Sequence, residues 1–298
     1  MILFAFPEYE YLASSLLEEA DLERGGFSTT QFSYGEIGIT LESDIVGKEC
    51  IILGGSAPKE TVLEKLLLLA HTLKENGAKK VTILTPYLHY VRQDKKEENK
   101  SLAAKWLGEL FKASGADEVA VVDVHSPEVP KLFPVPLISL SAVRLFTREI
   151  SSYKTKDLTL VAPDKGAINT CKELHKELNL KSEVAYFDKK RIEKEVSVSE
   201  LHGSVGKEVI LVDDILDTGG TMIQAAQYLA REGVEKITII VTHGLFSGSK
   251  WKELWDLGVD KIYCTDTVPH TRELASDKIK VLSIAPILIS YIGNKFKD

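Results

Sequence analysis

Short apolar, β-branched runs alternate with amphipathic stretches along most of the chain. The opening Met1–Phe6 is apolar and reads as a first strand. Cys50–Leu53 is a second such run, ending at Gly54-Gly55. From about Thr61, the residues Leu63, Leu66, Leu67, Ala70 and Leu73 recur at the spacing of one helical face, and Gly77 marks that helix's end. Val81–Leu84 then predicts a strand, Ser101–Ser114 a helix and Val119–Val122 another strand. Strands that are apolar throughout, separated by helices, imply a parallel sheet covered on both faces.

The rhythm restarts after a stretch broken by Pro134 and Pro136. Strands are predicted at Leu158–Ala162, Glu183–Phe187, Val209–Val212, Ile237–Val241 and Lys261–Cys264, with helices at Gly166–Leu178, Thr221–Glu232 and Lys250–Leu257. The pattern is that of two α/β units in tandem, 1–144 and 145–283. The last segment, 284–298, carries an apolar helical pattern over Ile284–Phe296 and is suited to packing back on the first half, which the pattern alone does not decide.

Bulk properties narrow the function classes. A chain of 298 residues with 44% hydrophobic and 27% charged residues is ordinary for a globular protein of one large or two medium domains. The net charge of −7 repels nucleic acid and anionic lipid over most of the surface, so phosphate groups have to be bound locally, by backbone N–H groups or a cation. The three cysteines, Cys50, Cys171 and Cys264, are an odd number without a C-x-x-C pair, which indicates neither a zinc site nor a disulfide framework. The opening apolar run has no basic leader and is too short for a signal peptide, and the longest apolar runs fall well short of the ~20 residues of a membrane span. A cytoplasmic protein with neither nucleic acid nor membrane as partner is expected.

The strongest chemical signal is the run from Val209 to Thr221. An apolar strand leads into Asp213 and Asp214, then Asp217, Thr218, Gly219 and Gly220, then a helix from Thr221. In open parallel sheets ligands bind beyond the carboxyl ends of the strands. A small-residue turn at a helix N-terminus offers backbone N–H groups, and the Thr218 and Thr221 hydroxyls add donors, which suits a phosphate monoester. Asp213 and Asp214 stand one step earlier, where they can accept from ribose hydroxyls. The bland alternative is a generic strand–turn–helix with solvated acids, but so long an ordered match makes it much the weaker reading.

That run resembles the phosphoribosyl diphosphate-binding motif shared by phosphoribosyltransferases and ribose-phosphate diphosphokinases. Four further segments resemble the diphosphokinases in particular. Thr85 to Lys96, containing Arg92, Gln93 and Asp94, is similar to that family's ATP segment; Arg can grip phosphate oxygens in a bidentate fashion and Gln can read a base edge. Asp123-Val-His125-Ser126 resembles its Asp-x-His element, where the resemblance assigns His125 to the nucleotide phosphates and magnesium, although magnesium normally prefers oxygen. Pro163-Asp164-Lys165-Gly166 resembles the diphosphate loop, with Asp164 as the implied protein ligand to Mg2+; Lys165 replaces a small residue and is free either to contact diphosphate or to point outward. Asp188-Lys189-Lys190-Arg191 corresponds to the mobile catalytic loop, which implies that Lys189 and Arg191 supply cations to the transition state. Alone, the Arg92 segment also reads as a charged surface loop, His125 as a hydrogen-bonded structural residue at a strand end, and the Lys189 segment as a solvated turn.

Gln31-Phe32-Ser33-Tyr34-Gly35-Glu36 is similar to the family's adenine-holding hairpin, which implies Phe32 and Glu36 as further ATP contacts; Tyr34 stands where the family has Asp. The resemblance runs from about Phe32 to Pro286. It implies two tandem phosphoribosyltransferase-like domains, the first binding ATP and the second ribose 5-phosphate through Asp213, Asp214, Asp217, Thr218, Gly219, Gly220 and Thr221. It also implies a homodimer or larger homo-oligomer and transfer of a diphosphoryl group from ATP to the sugar. A phosphoribosyltransferase explains the second half only, leaving Arg92, Gln93 and His125 without a role. A non-catalytic subunit of the same fold is expected to lack the catalytic cations or the metal acid, and Lys189, Arg191 and Asp164 are all present.

Overall fold

The computed structural model describes residues 1–56, 60–151, 157–192 and 195–295; the side chains of residues 60, 189–192, 195–199 and 295 lie outside that description. The chain forms two compact units, 1–140 with 285–298, and 141–284.

The first unit is built on β1 (Ile2–Ala5), α1 (Glu10–Glu19), β2 (Glu23–Arg24), β3 (Phe27–Gln31), β4 (Ile37–Leu41), β5 (Glu49–Leu53), α2 (Glu60–Glu75), β6 (Lys80–Leu84), α3 (Ala103–Ala113), β7 (Glu118–Val122), α4 (Val129–Leu132) and β8 (Leu137–Leu140). Six strands form one sheet in the order β2-β1-β5-β6-β7-β8, and every neighbouring pair is parallel. Leu3, Ile52, Val81 and Val122 are buried because helices cover both faces, which is why these strands read as unbroken apolar runs. The exception is the antiparallel hairpin of β3 and β4, whose polar residues Ser28, Thr29, Thr30 and Gln31 are exposed.

The second unit holds α5 (Val143–Ile150), β9 (Leu158–Ala162), α6 (Ile168–Leu178), β10 (Ala185–Ile192), β11 (Glu195–His202), β12 (Glu208–Leu216), α7 (Gly220–Arg231), β13 (Lys236–Gly244), β14 (Val259–Thr265) and β15 (Ile279–Leu282). Its seven-stranded sheet has the order β11-β10-β9-β12-β13-β14-β15, with only β10 and β11 antiparallel. The final helix, α8 (Ala285–Lys295), packs on α1 in the first unit, and the Tyr291 hydroxyl donates to the Glu118 carboxylate there. Phe296, the last residue of the helix predicted from the sequence, lies outside the described residues.

Three expectations are corrected. The strand predicted at Glu183–Phe187 starts at Ala185 and runs through the cationic stretch to Ile192, paired with β11. The charges read as a turn, yet the partner Glu195-Val-Ser-Val-Ser199 alternates at the period of a strand and provides the pairing. The helix predicted at Lys250–Leu257 is a short 3-10 turn over Lys250–Leu254; buried Trp251 and Leu254 are three apart, a spacing that fits either helix type. Finally, β12 continues past Val212 to Leu216, so Asp213 and Asp214 lie within the strand, opposite β13.

Where β13 and β14 end, a polar cluster is buried. Thr265 Oγ1 donates to the Thr242 carbonyl at 2.7 Å, Thr271 Oγ1 donates to the Thr265 carbonyl at 3.1 Å, and His243 Nδ1 lies 3.0 Å from Thr267 Oγ1. Asp266 accepts from the Ile284 N–H at 2.8 Å; burial pushes its carboxyl upward, against the lowering pull of that bond, Ser283 and Arg272. A carboxyl whose native value exceeds its unfolded one adds stability below the unfolded value and loses it as pH rises through the native value. Asp266→Asn keeps an acceptor for Ile284 while removing this titration. The urea midpoint of the unaltered protein is therefore expected to fall, relative to the Asn variant, from about pH 4 upward. Parallel midpoint curves for the two proteins exclude Asp266 as the group. Among the described residues, no helix is long and apolar enough to cross a membrane.

Candidate functional site

The sharpest turn of the second unit follows β12. Gly219 has φ +87° and is the N-cap of α7, with no side chain of its own to close the first turn. The first N–H groups of a helix have no backbone partner within it, so such a start, backed by the helix dipole, is suited to an anion. Thr218 is exposed, and Gly220 and Thr221 are half-buried. The turn is fastened from behind: the N–H groups of Leu245 and Phe246 donate to the Leu216 carbonyl at 2.8 and 3.0 Å, and Ser247 N–H donates to the Asp217 carbonyl at 3.2 Å. A side chain at Gly219 has no room, because a Cβ there would stand 2.8 Å from Trp251 Cα.

Beside this turn the structure gathers carboxylates. Asp213 is half-buried, and Asp213 Oδ1 accepts from the Asp214 N–H at 3.0 Å. Its carboxyl is held well above the usual range, first by burial, then by the negative charges of Asp214 and Asp164. Asp164 caps the turn after β9, accepting from Gly166 N–H at 2.8 Å and Ala167 N–H at 3.4 Å. Mutually reinforcing carboxylates are the hard oxygen donors that magnesium takes. Among the described residues no three His, Cys, Asp or Glu side chains form a metal cage of their own. The donor set fits magnesium nonetheless, since that ion usually keeps several waters and takes one or two carboxylates plus substrate phosphates.

Lys165 is exposed beside the Asp164 turn. Its ammonium pairs with the Asp188 carboxylate at 2.7 Å, which ties the Asp164 turn to the start of the β10–β11 arm. Asp188 also lies 4.0 Å from His202 Nε2. Lys189 and Arg191 are alternate residues of β10, paired in register with Val198 and Val196. Their side chains lie outside the described residues.

In the first unit, Arg92, Gln93 and Asp94 follow β6 through a turn in which Tyr90 takes φ +66°. Gln93 N–H donates to the Tyr90 carbonyl at 3.0 Å, and Gln93 Oε1 accepts from the Ser101 hydroxyl. Arg92 and Gln93 are exposed and Asp94 is half-buried. The Ser126 hydroxyl donates to Asp94, which joins this segment to the one carrying exposed His125. Asp123, two residues before His125, has φ +38°, a backbone state that side chains other than glycine rarely adopt. Phe32 and Glu36 lie at the tip of the β3–β4 hairpin, where the Phe32 N–H donates to the Glu36 carbonyl at 2.8 Å. Phe32 is 55% exposed and Tyr34 fully exposed. The Ser126–Asp94 link and the Leu245–Trp251 support escaped the sequence reading. Each joins residues that only the parallel sheet brings to one edge, and a lone Ser or Trp carries no signal of it.

The comparisons with known proteins agree along the chain. Residues 1–115 match the family model of the N-terminal domain of ribose phosphate pyrophosphokinase, and residues 132–272 match that of the phosphoribosyl transferase domain. The ribose-phosphate pyrophosphokinase of Bacillus caldolyticus is 32% identical over 299 residues, covering 99% of this chain and 94% of that protein. Ribose-phosphate pyrophosphokinase 1 of Listeria innocua is 33% identical, with 96% and 91% covered. The crystal structure of phosphoribosylpyrophosphate synthetase from Mycobacterium smegmatis aligns with a TM-score of 0.89 at 29% identity, covering 99% of this chain and 98% of the other.

Proposed function

The chain belongs to the ribose-phosphate pyrophosphokinase family, and from that premise we propose that it moves the β,γ-diphosphoryl group of ATP to the C1 hydroxyl of ribose 5-phosphate. The products are 5-phosphoribosyl 1-diphosphate and AMP. The C1 oxygen forms a bond to the β-phosphorus, the bond from that phosphorus to the α,β-bridging oxygen breaks, AMP leaves with the electron pair, and the hydroxyl proton is released. Positioning and charge stabilisation do most of such a transfer. The observation that supports the reading is the left-handed Gly219 turn at the start of α7, next to a carboxylate cluster.

In this proposal Asp217, Thr218, Gly219, Gly220 and Thr221 hold the 5-phosphate through backbone N–H groups and hydroxyls. Asp213 and Asp214 orient the ribose hydroxyls. Arg92, Gln93 and Asp94, with Phe32 and Glu36, bind ATP, and the Ser126–Asp94 hydrogen bond supports a shared role for the first three and His125. Asp164 in the second unit and His125 in the first would each be ligands of magnesium alongside phosphate oxygens, and the ion would supply positive charge to the transferring group. Lys189 and Arg191 stabilise the charge that develops at the β-phosphoryl and leaving oxygens. A homodimer or larger assembly is part of the proposal, supported by the aromatic tip that Phe32 and Tyr34 expose. So is a cytoplasmic location.

A coupled assay for AMP tests the reaction. AMP is expected to form only with ATP, ribose 5-phosphate and Mg2+ together, and EDTA is expected to abolish it. AMP formation without the sugar, or none with all three present, sinks the reading. Running the same assay over other nucleoside triphosphates measures what Tyr34 does to donor choice.

A further inference from the structure

The backing of the Gly219 turn is more elaborate than a phosphate loop needs for its own hydrogen bonds. Trp251 sits against it with Cα 2.8 Å and Cβ 3.0 Å from where a Gly219 Cβ would be, so any movement of Trp251 is passed directly to the turn. That position is set by the indole ring. Its centroid lies 4.8 Å from that of Phe246 and 6.3 Å from that of Trp255, both at steep angles, and Trp251 is only 5% exposed. Phe246 in turn takes φ +47°, and it is one of the residues whose N–H fastens the turn through Leu216. A bulky side chain in a left-handed state is strained and persists only where its surroundings hold it there. Among the described residues the buried Trp251 Nε1–H has no hydrogen-bond partner. An unsatisfied buried donor is destabilising, so packing alone favours an apolar residue here.

We propose that Trp251 is a positioning residue for sugar-phosphate binding. Its ring, held against Phe246, anchors the wall that keeps Gly219 left-handed and thereby aims the N–H groups of Gly220 and Thr221. This rests on the assignment of the turn to ribose 5-phosphate.

The test uses Trp251→Leu, Trp251→Phe and Trp255→Leu in the full chain. Melting temperature, KM for each substrate and calorimetric binding of ribose 5-phosphate are measured. Trp251→Leu is expected to raise the KM and Kd for ribose 5-phosphate at least tenfold while leaving the KM for ATP nearly unchanged. Trp251→Phe, which keeps a ring for Phe246 to grip, is expected to recover most of that loss. Trp255→Leu removes the more distant ring, 6.3 Å from that of Trp251, and is expected to lower the melting temperature with little change in sugar affinity. The proposal is overturned if Trp251→Leu leaves sugar affinity intact, or if Trp255→Leu weakens it equally. Should Trp251→Leu fail to fold, Phe246→Leu, which removes the ring's nearer grip, is expected to weaken sugar affinity in its place, and unchanged affinity there overturns the proposal. Failure of the unaltered protein to bind ribose 5-phosphate strikes the assignment of the turn instead, and is seen before any variant is compared.

Discussion

Lys189→Ala and Arg191→Ala are each expected to lower the turnover number by about two to three orders of magnitude, the 3–4 kcal/mol that losing one electrostatic donor to a transition state costs. The argument is one of charge. Diphosphoryl transfer piles negative charge on the β-phosphoryl and leaving oxygens, and a chain with a net charge of −7 has to supply cations locally. The second unit's carboxylates, Asp164, Asp213 and Asp214, deepen that need. If the two cations act on the transition state alone, the KM values for ATP and ribose 5-phosphate stay close to those of the unaltered enzyme while kcat falls. Lys190 provides the control. It is the intervening residue of β10, and adjacent strand positions belong to opposite faces, so Lys190→Ala is expected to leave turnover nearly unchanged. Steady-state kinetics of the three variants decide the matter: an unaltered kcat for Lys189→Ala removes Lys189 from catalysis, and equal losses at all three positions indicate a general effect of the arm's charge.

The residues that were legible in the sequence share a physical trait: their signal is local. The Val209–Val212 run and the Asp213-to-Thr221 turn carry strand pattern, acids and small residues within one short stretch, and the Gly219 backbone takes the left-handed state that such a turn requires. The parallel strands were legible for the same reason, since burial on both faces leaves an unbroken apolar run. What escaped was non-local or of low contrast. The β10–β11 arm hides behind the charges of Asp188–Arg191, and its pairing depends on Val196 and Val198 further along. The Lys165–Asp188 ion pair spans 23 residues and the Ser126–Asp94 bond 32, distances over which neither composition nor period carries information. The extension of β12 to Leu216 follows from its register with β13, which no reading of one strand contains. The hairpin tip at Phe32 and Tyr34 was legible only through resemblance, because β3 is polar and exposed after Phe27, although Ile39 and Leu41 of β4 pack on the core.

Gly219→Ala is expected to abolish saturable ribose 5-phosphate binding in the accessible range, and it differs in kind from its neighbour. At Gly219 two independent costs coincide. The backbone is left-handed, at φ +87°, and the added methyl would meet Trp251 Cα at 2.8 Å, a backbone atom that cannot rotate aside. A forced left-handed state costs about 1–3 kcal/mol. If the turn relaxes to avoid the clash, the N–H groups at the start of α7 lose their aim, and each charge-assisted bond to the phosphate that is lost removes about 1.5–3 kcal/mol more. Together these terms correspond to an affinity loss of about three orders of magnitude or more. Gly220 is the counterpart. It opens α7, and a Cβ there meets nothing within 4 Å in the protein. Gly220→Ala therefore leaves the melting temperature unchanged or slightly raised, given alanine's higher helix propensity. It weakens sugar-phosphate binding only insofar as the ligand fills the space beside that helix start. Thermal unfolding and ribose 5-phosphate titration of the two variants separate the effects. Gly219→Ala with normal affinity removes the turn from substrate binding; loss of stability in Gly220→Ala shows that the fold needs its open side.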